Sequence, residues 1–190
     1  VVGLDSDQTA SPELIFQSDG DIDQLSQEIR ISGESEGLKW VTGLYYLGID
    51  TDYIQGLAAS PTAGFLAGAE NNTVASIETE SWSVFGQFDI SLSEELVLVA
   101  GVRAVQEDKS LEGRVFQNAN SNDRIIEIDY QSAPLQDVSL NNDQDLWSAK
   151  VQLDYTPDED TLFYAGINRG VKAGSFNAPL FGGFSSYDPE

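Results

Sequence analysis

Polar and apolar residues exchange places at every second position over long runs of this chain. From Leu146 to Thr156, Ser148, Lys150, Gln152 and Asp154 take one set of alternate positions, and Trp147, Ala149, Val151, Leu153 and Tyr155 take the other. Successive side chains of a strand point to opposite faces, so a period of two predicts a β-strand with one polar and one apolar face. Ser83, Gln87 and Asp89 alternate in the same way with Trp82, Val84, Gly86, Phe88 and Ile90, with Phe85 standing on the polar side. Ser26, Glu28, Arg30 and Ser32 alternate with Gln27, Ile29 and Ile31. Leu96, Leu98, Ala100, Val102 and Ala104 share one face, opposite Val97, Val99, Gly101 and Arg103, and the run continues to Glu107. Runs 38–49 and 161–173 carry apolar groups on both faces, which leaves their facing open. Six strands are predicted, near 24–32, 38–49, 78–91, 96–108, 144–156 and 161–173.

The connections alternate too. Gly33-Glu34-Ser35-Glu36-Gly37, Ser93-Glu94-Glu95 and Pro157-Asp158-Glu159-Asp160 are short and built of turn-forming and charged residues. Segments 50–77 and 109–143, and the ends 1–23 and 174–190, read as long loops. Long structureless loops are uncommon in a compact soluble domain, whereas short periplasmic turns opposite long extracellular loops are the rule in outer-membrane barrels. The runs match the roughly 9–11 residues of a tilted membrane strand better than the roughly 5–6 of a globular one. Trp40, Tyr45, Tyr46, Trp82, Trp147 and Tyr155 fall near strand ends, where a barrel carries its aromatic girdles. A soluble sandwich with an aromatic core accounts for each residue singly, but not for the alternation of loop lengths.

Composition removes whole classes of chemistry. The 190 residues include 32 Asp and Glu against 9 Lys and Arg, a formal charge of −23, and no His, Cys or Met. Without His and Cys there is no disulfide, no zinc site of the usual ligands, no Cys nucleophile and no Ser-His-Asp triad. The acid excess argues against a nucleic-acid partner, which needs a basic face. At 41% hydrophobic and 10% aromatic residues, the chain is composed like one that folds. No apolar run is long enough for a transmembrane helix, and Val1 to Ala10 do not resemble a signal peptide. The chain is expected to be processed or cut from something longer.

Several segments in order resemble the barrel of a TonB-dependent outer-membrane receptor. Ser26-Gln27-Glu28-Ile29-Arg30-Ile31-Ser32 followed by Trp40-Val41-Thr42-Gly43-Leu44-Tyr45-Tyr46 is similar to a hairpin common in these receptors. Ser81 to Gln87 and Leu98 to Arg103 resemble the next hairpin. Leu162-Phe163-Tyr164-Ala165, running into Asn168-Arg169-Gly170-Val171-Lys172-Ala173-Gly174-Ser175-Phe176-Asn177, is the most specific match, with Val171 and Ser175 as departures. Tyr187-Asp188-Pro189-Glu190 resembles the lead into the following strand. The resemblance implies an all-β fold, an antiparallel meander of about six long strands that is a segment of a large transmembrane β-barrel. Residues 1–190 would form part of that barrel domain, without its plug, its TonB-contacting box or its terminal strand. It further implies a bacterial outer-membrane location, with surrounding lipid, a small-molecule ligand and, through the plug, the TonB energy-transducing complex as partners. An iron–siderophore is the default cargo, with cobalamin, carbohydrate or plant-derived aromatic compounds as other members of the class. A secreted adhesin or carbohydrate-binding sandwich is the reading of a different class.

If the apolar face of the strand at 144–156 meets lipid, then Ser148, Lys150, Gln152 and Asp154 point to a lumen. The same reasoning turns Glu28, Arg30, Gln87, Asp89, Arg103 and Glu107 inward, and Arg169 is placed with them. Charge pairs that satisfy one another inside the barrel are the plainer account of any one of these residues. No catalytic or cofactor residue stands out, because paired carboxylates are too abundant to single out a hydrolytic pair. Asp19, Asp21 and Asp23, and the run Asn141-Asn142-Asp143-Gln144-Asp145, are rich in the oxygen ligands that Ca²⁺ accepts but lack EF-hand spacing, so a solvated acidic surface is favoured.

Overall fold

A computed structural model describes residues 2–5, 14–62, 64, 68–118, 128–178 and 183–190. Among the described residues nine strands follow one another: β1 Val2–Asp5, β2 Leu14–Ser35, β3 Leu38–Ala59, β4 Glu70–Ser91, β5 Leu96–Asn118, β6 Gln136–Asp158, β7 Thr161–Arg169, β8 Ser175–Asn177 and β9 Ser185–Tyr187. The first seven form one antiparallel sheet in sequence order, and β8 and β9 pair with each other. Each strand neighbours the next in sequence, which is the meander expected from the alternation.

The strands are much longer than expected. β2, β3 and β4 have 22 residues and β5 and β6 have 23, a length of roughly 70 Å at about 3.3 Å per residue. Most of 50–77 and 109–143, expected as loops, is therefore strand, and so is 14–23. The part of the second expected loop at 119–127, and residues 6–13 of the first end, lie outside the described residues. The error has a physical source. Apolar residues line the outer face only where it meets lipid; beyond that level the outer face turns acidic and apolar residues such as Ala75, Leu111 and Val115 stand on the other side among polar ones, so the contrast weakens, yet each segment is held by a full ladder to a neighbour of equal length. At the other end, the strand expected over 161–173 stops at Arg169.

The ladder is almost free of irregularity, the one shift in β2 to β7 lying between Tyr155 and Asp158 of β6. Two-residue spacing thus assigns each side chain of these strands to one of two faces. On one face stand Leu38, Leu44, Val84, Phe88, Ile90, Leu96, Leu98, Val102, Trp147, Val151, Leu153 and Ile167, and many of them are exposed: Val84 50%, Val102 56%, Val151 54%, Ile167 83%. On the other stand Arg30, Ser83, Arg103, Gln144, Ser148 and Lys150, of which Ser83 and Gln144 are buried. Apolar side chains outside and polar ones sheltered is the reverse of a soluble sandwich, and no second sheet covers the apolar face among the described residues. This is a wall built to meet hydrocarbon.

Aromatic residues bracket that face. Tyr46 and Trp82 pack at 4.5 Å at its upper margin, with Trp147 one row lower on β6, and Tyr155 stacks with Phe163 at 6.4 Å at the lower. About ten residues of each strand separate the two margins, or roughly 33 Å along the strand, which a tilt of about 40° reduces to the ~25 Å apolar height of an outer-membrane barrel. Tyr45, expected in a girdle with Tyr46, has the opposite parity and stands on the polar face, where Arg103 lies 5.3 Å from its ring centre. The short turns lie at the lower end; Gly37, with φ of 75°, takes the left-handed conformation that lets two residues join β2 to β3.

In the complete barrel refolded in lipid vesicles, Val151→Arg is expected to cost about 2–4 kcal/mol, because the charge enters hydrocarbon. Gln152→Arg, one residue away on the opposite face, should leave stability near that of the parent in the same urea titration.

Candidate functional site on the polar face

Ten of the eleven residues expected to point inward share one face. Arg30, Gly43, Phe85, Arg103 and Ser148 form one row across β2 to β6; Val41, Gln87, Gly101, Lys150 and Asn168 form the row below; Asp89 and then Asp154 belong to the rows below that. Arg169 does not join them. It pairs with Ala149 while Asn168 pairs with Lys150, so Arg169 stands on the apolar face. There its guanidinium covers the Trp147 ring at 3.8 Å and donates to the Trp147 carbonyl oxygen. Motif membership had grouped Arg169 with the lumen residues; the register, which the doubly apolar run 161–173 left open, decides otherwise. An arginine stacked on a tryptophan at the margin of an apolar band is an interfacial anchor.

Neighbouring polar residues on this face bond along their own strands. Arg30 Nε lies 3.1 Å from Glu28 Oε1, Gln87 Nε2 donates to Asp89 Oδ1 at 3.0 Å, Gln152 Nε2 donates to Asp154 Oδ1 at 2.6 Å, and Lys109 Nζ meets Glu107 Oε1 at 2.8 Å. All four are i, i+2 pairs, which period two sets on one face within reach of long side chains. Charge within the strands of this face is balanced: Arg30, Lys39, Arg103, Lys109 and Lys150 against Glu28, Glu34, Asp89, Glu107 and Asp154. No carboxylate pairs with Arg103 or Lys150 among the described residues. These two cations, with Arg30, Gln87, Ser148 and Asn168, line an open hollow of about 490 Å³. Gly101 keeps its floor low; beside it, in the Arg30 row, a Cβ on Gly43 would lie 2.7 Å from both the Ile29 carbonyl oxygen and the Phe85 ring. Such a surface can hold carboxylate or other anionic groups by charge-assisted hydrogen bonds.

The acidic residues that dominate the composition are elsewhere. Asp19, Asp21, Asp23, Asp50, Asp52, Glu78, Glu80, Asp108, Glu112, Asp137, Asp143 and Asp145 stand on the outer face, above the aromatic margin, where Arg114 pairs with Asp137 at 3.6 Å. Of these, Asp19, Asp21, Asp23, Asp50, Asp52, Glu112, Asp137 and Asp143 lie in stretches that read as loops in the sequence. Asp19, Asp21 and Asp23 are strand residues on a common face, and among the described residues no three acidic side chains converge to hold a metal ion. At this level burial pushes the Tyr53 phenol above its ordinary pKa.

Sequence reading missed Lys109, which lies in a stretch assigned to a loop, and Gln144, which is buried on the polar face but was read only as part of the oxygen-rich run 141–145 at the very start of a predicted strand. The alternation of Glu107, Lys109, Leu111 and Gly113 was the available signal.

The family model described as TonB dependent receptor-like, beta-barrel, matches residues 4–190. The chain belongs to the TonB-dependent receptors. Its fold is shared with the crystal structure of the ferric yersiniabactin uptake receptor FyuA from Yersinia pestis, with a TM-score of 0.74 and 15% identity over 94% of this chain. A second match, to the structure of the RagAB peptide transporter, has a TM-score of 0.40 and 12% identity, covering 80% of this chain and 17% of the other. The chain spans 26% of the length of FyuA, about a quarter, so this portion of a receptor barrel is a curved piece of wall. The polar hollow and the outward apolar band are therefore the two sides of a receptor wall.

Arg169→Ala in the complete receptor is expected to lower barrel stability by roughly 0.5–2 kcal/mol, the range of a cation–π contact. It should also shift Trp147 fluorescence in vesicles; an unchanged spectrum would show that the stack is not formed.

Proposed function

We propose that this chain forms part of the wall of an outer-membrane receptor that imports an iron–siderophore or a similarly scarce nutrient, with energy relayed by TonB. The supporting observation is the division of the sheet into an exposed apolar face and a sheltered, charge-balanced polar face, in a chain that belongs to this family. On this reading the polar face lines the lumen, and the plug of the complete receptor rests against it. Arg103 and Lys150, at the height of the apolar band, meet carboxylates of that plug or anionic groups of the passing ligand. The fold shared with FyuA, a ferric yersiniabactin uptake receptor, favours a ferric chelate as cargo. Nothing in the arrangement favours an adhesin sandwich, which would bury the aromatic residues that this sheet exposes.

A deletion strain grown under iron limitation on defined ferric chelates is expected to lose growth on at least one, with restoration by the complete gene and abolition by a protonophore. Unchanged uptake on every chelate overturns the siderophore assignment. In the complemented strain, the pair Arg103→Glu and Lys150→Glu should reduce uptake at least tenfold while the barrel still assembles, measured by heat-dependent gel mobility.

A further inference from the structure

β7 ends at Arg169, level with Ala149, whereas β6 continues upward for the whole of 136–148 without a partner from β7. Among the described residues after Arg169 the chain does not continue the wall. It turns onto the polar face, and residues 171–178 and 183–190 run over it as two arms joined by the β8–β9 pairing and by reciprocal backbone hydrogen bonds between Lys172 and Glu190, both 2.9 Å.

The attachment is specific. The buried carboxamide of Gln144 holds the backbone of Gly174 from both sides: the Gly174 N–H donates to Oε1 at 2.7 Å, and Nε2 donates to the Gly174 carbonyl oxygen at 3.0 Å. Lys109 Nζ, already paired with Glu107 at 2.8 Å, donates to the same carbonyl at 2.9 Å. No other residue fits at 174, since a Cβ would collide with the Tyr187 carbonyl oxygen and press on Asn142. Higher up, the Phe184 ring occupies the space left by Gly113, and Phe176 is buried. Leu111, Ala75 and Val115, in and beside the Gly113 row of this face, are buried as well. Releasing the arms would break three hydrogen bonds, one of them charge-assisted, and expose this apolar cluster to water.

We propose that the two arms form a fixed strap that narrows the upper half of the import path, and that Gln144 is the positioning residue that holds it to the wall. The import path rests on the proposed function above; the seating of the strap does not. A nitroxide at Ser186→Cys on β9 and another at Gln24→Cys on the same face of β2 report the strap's position in the complete receptor in membrane vesicles, without any transported molecule. The parent should give one narrow distance distribution by pulsed dipolar spectroscopy, Gln144→Leu a broad and shifted one, and Lys109→Met an intermediate one. A broad distribution in the parent, or variants indistinguishable from it, overturns the fixed strap. Heat-dependent gel mobility establishes assembly; if Gln144→Leu does not assemble, Lys109→Met alone decides. The narrowing is read separately, from growth on ferric chelates of increasing size: Gln144→Leu should admit a chelate that the parent excludes. A displaced strap with an unchanged size limit overturns the narrowing, and a receptor that imports no chelate leaves the distance result intact while removing the proposed function.

Discussion

Every assignment of a side chain in this protein depends on the unbroken antiparallel ladder from β2 to β6. Because side chains alternate strictly, a bulge or one-residue slip anywhere would exchange the two faces of all that follows. The ladder carries parity across five long strands without such a slip, and reaches its one irregularity only at Tyr155, beside the last short turn. Backbone hydrogen bonding is also what makes the wall possible in hydrocarbon, where each unpaired amide would be costly. The same requirement explains the length of the strands: once paired, neighbours of equal length stay paired beyond the apolar band, even where their side chains give no hydrophobic reason to be extended.

Charge is distributed by the same rule. The polar face carries cations and carboxylates in balance, many bonded at i, i+2 along a strand, and the outer face within the apolar band is free of charge except for Arg169 at its margin, shielded by Trp147. The excess of acid lies higher on the outer face, on strand residues that begin at the aromatic margin, where Glu80 Oε1 accepts from the Tyr46 hydroxyl at 3.4 Å, and continue above it. A net charge of −23 is thus compatible with a wall that meets lipid, because the carboxylates occupy a different level. The aromatic margin itself descends across the sheet, from Tyr46 and Trp82 to Trp147 one row lower, as a level membrane surface cutting tilted strands requires.

Much of the fold is legible in the residues. The meander, the apolar and polar faces of β4, β5 and β6, and the location of the short turns follow from alternation and turn chemistry, and Phe85 on the polar face follows from its parity alone. Three features do not. The upper halves of the strands lack the outward apolar face of the band, so Asp19 to Asp23 and Lys109 to Gly113 read as loop. Arg169 sits in a run that is apolar on both sides, and one position separates it from Asn168 on the opposite face. Gln144 lies within Asn141-Asn142-Asp143-Gln144-Asp145, where an acid-rich composition conceals that its side chain is buried and holds Gly174.

The amino-acid sequence by itself determined the secondary structure type, the exclusion of His- and Cys-based chemistry, and the existence of one lipid-facing and one polar side, because these depend on local period and residue type. Tertiary structure decided where the strands end, which side of the wall Arg169 serves, where the acidic residues lie relative to the apolar band, and that residues beyond β7 return across the polar face. Those outcomes rest on register and on contacts between positions far apart in the chain, such as Gln144 with Gly174 and Gly113 with Phe184. Local pattern carries no record of them, since the energy that selects them arises only when the paired segments meet.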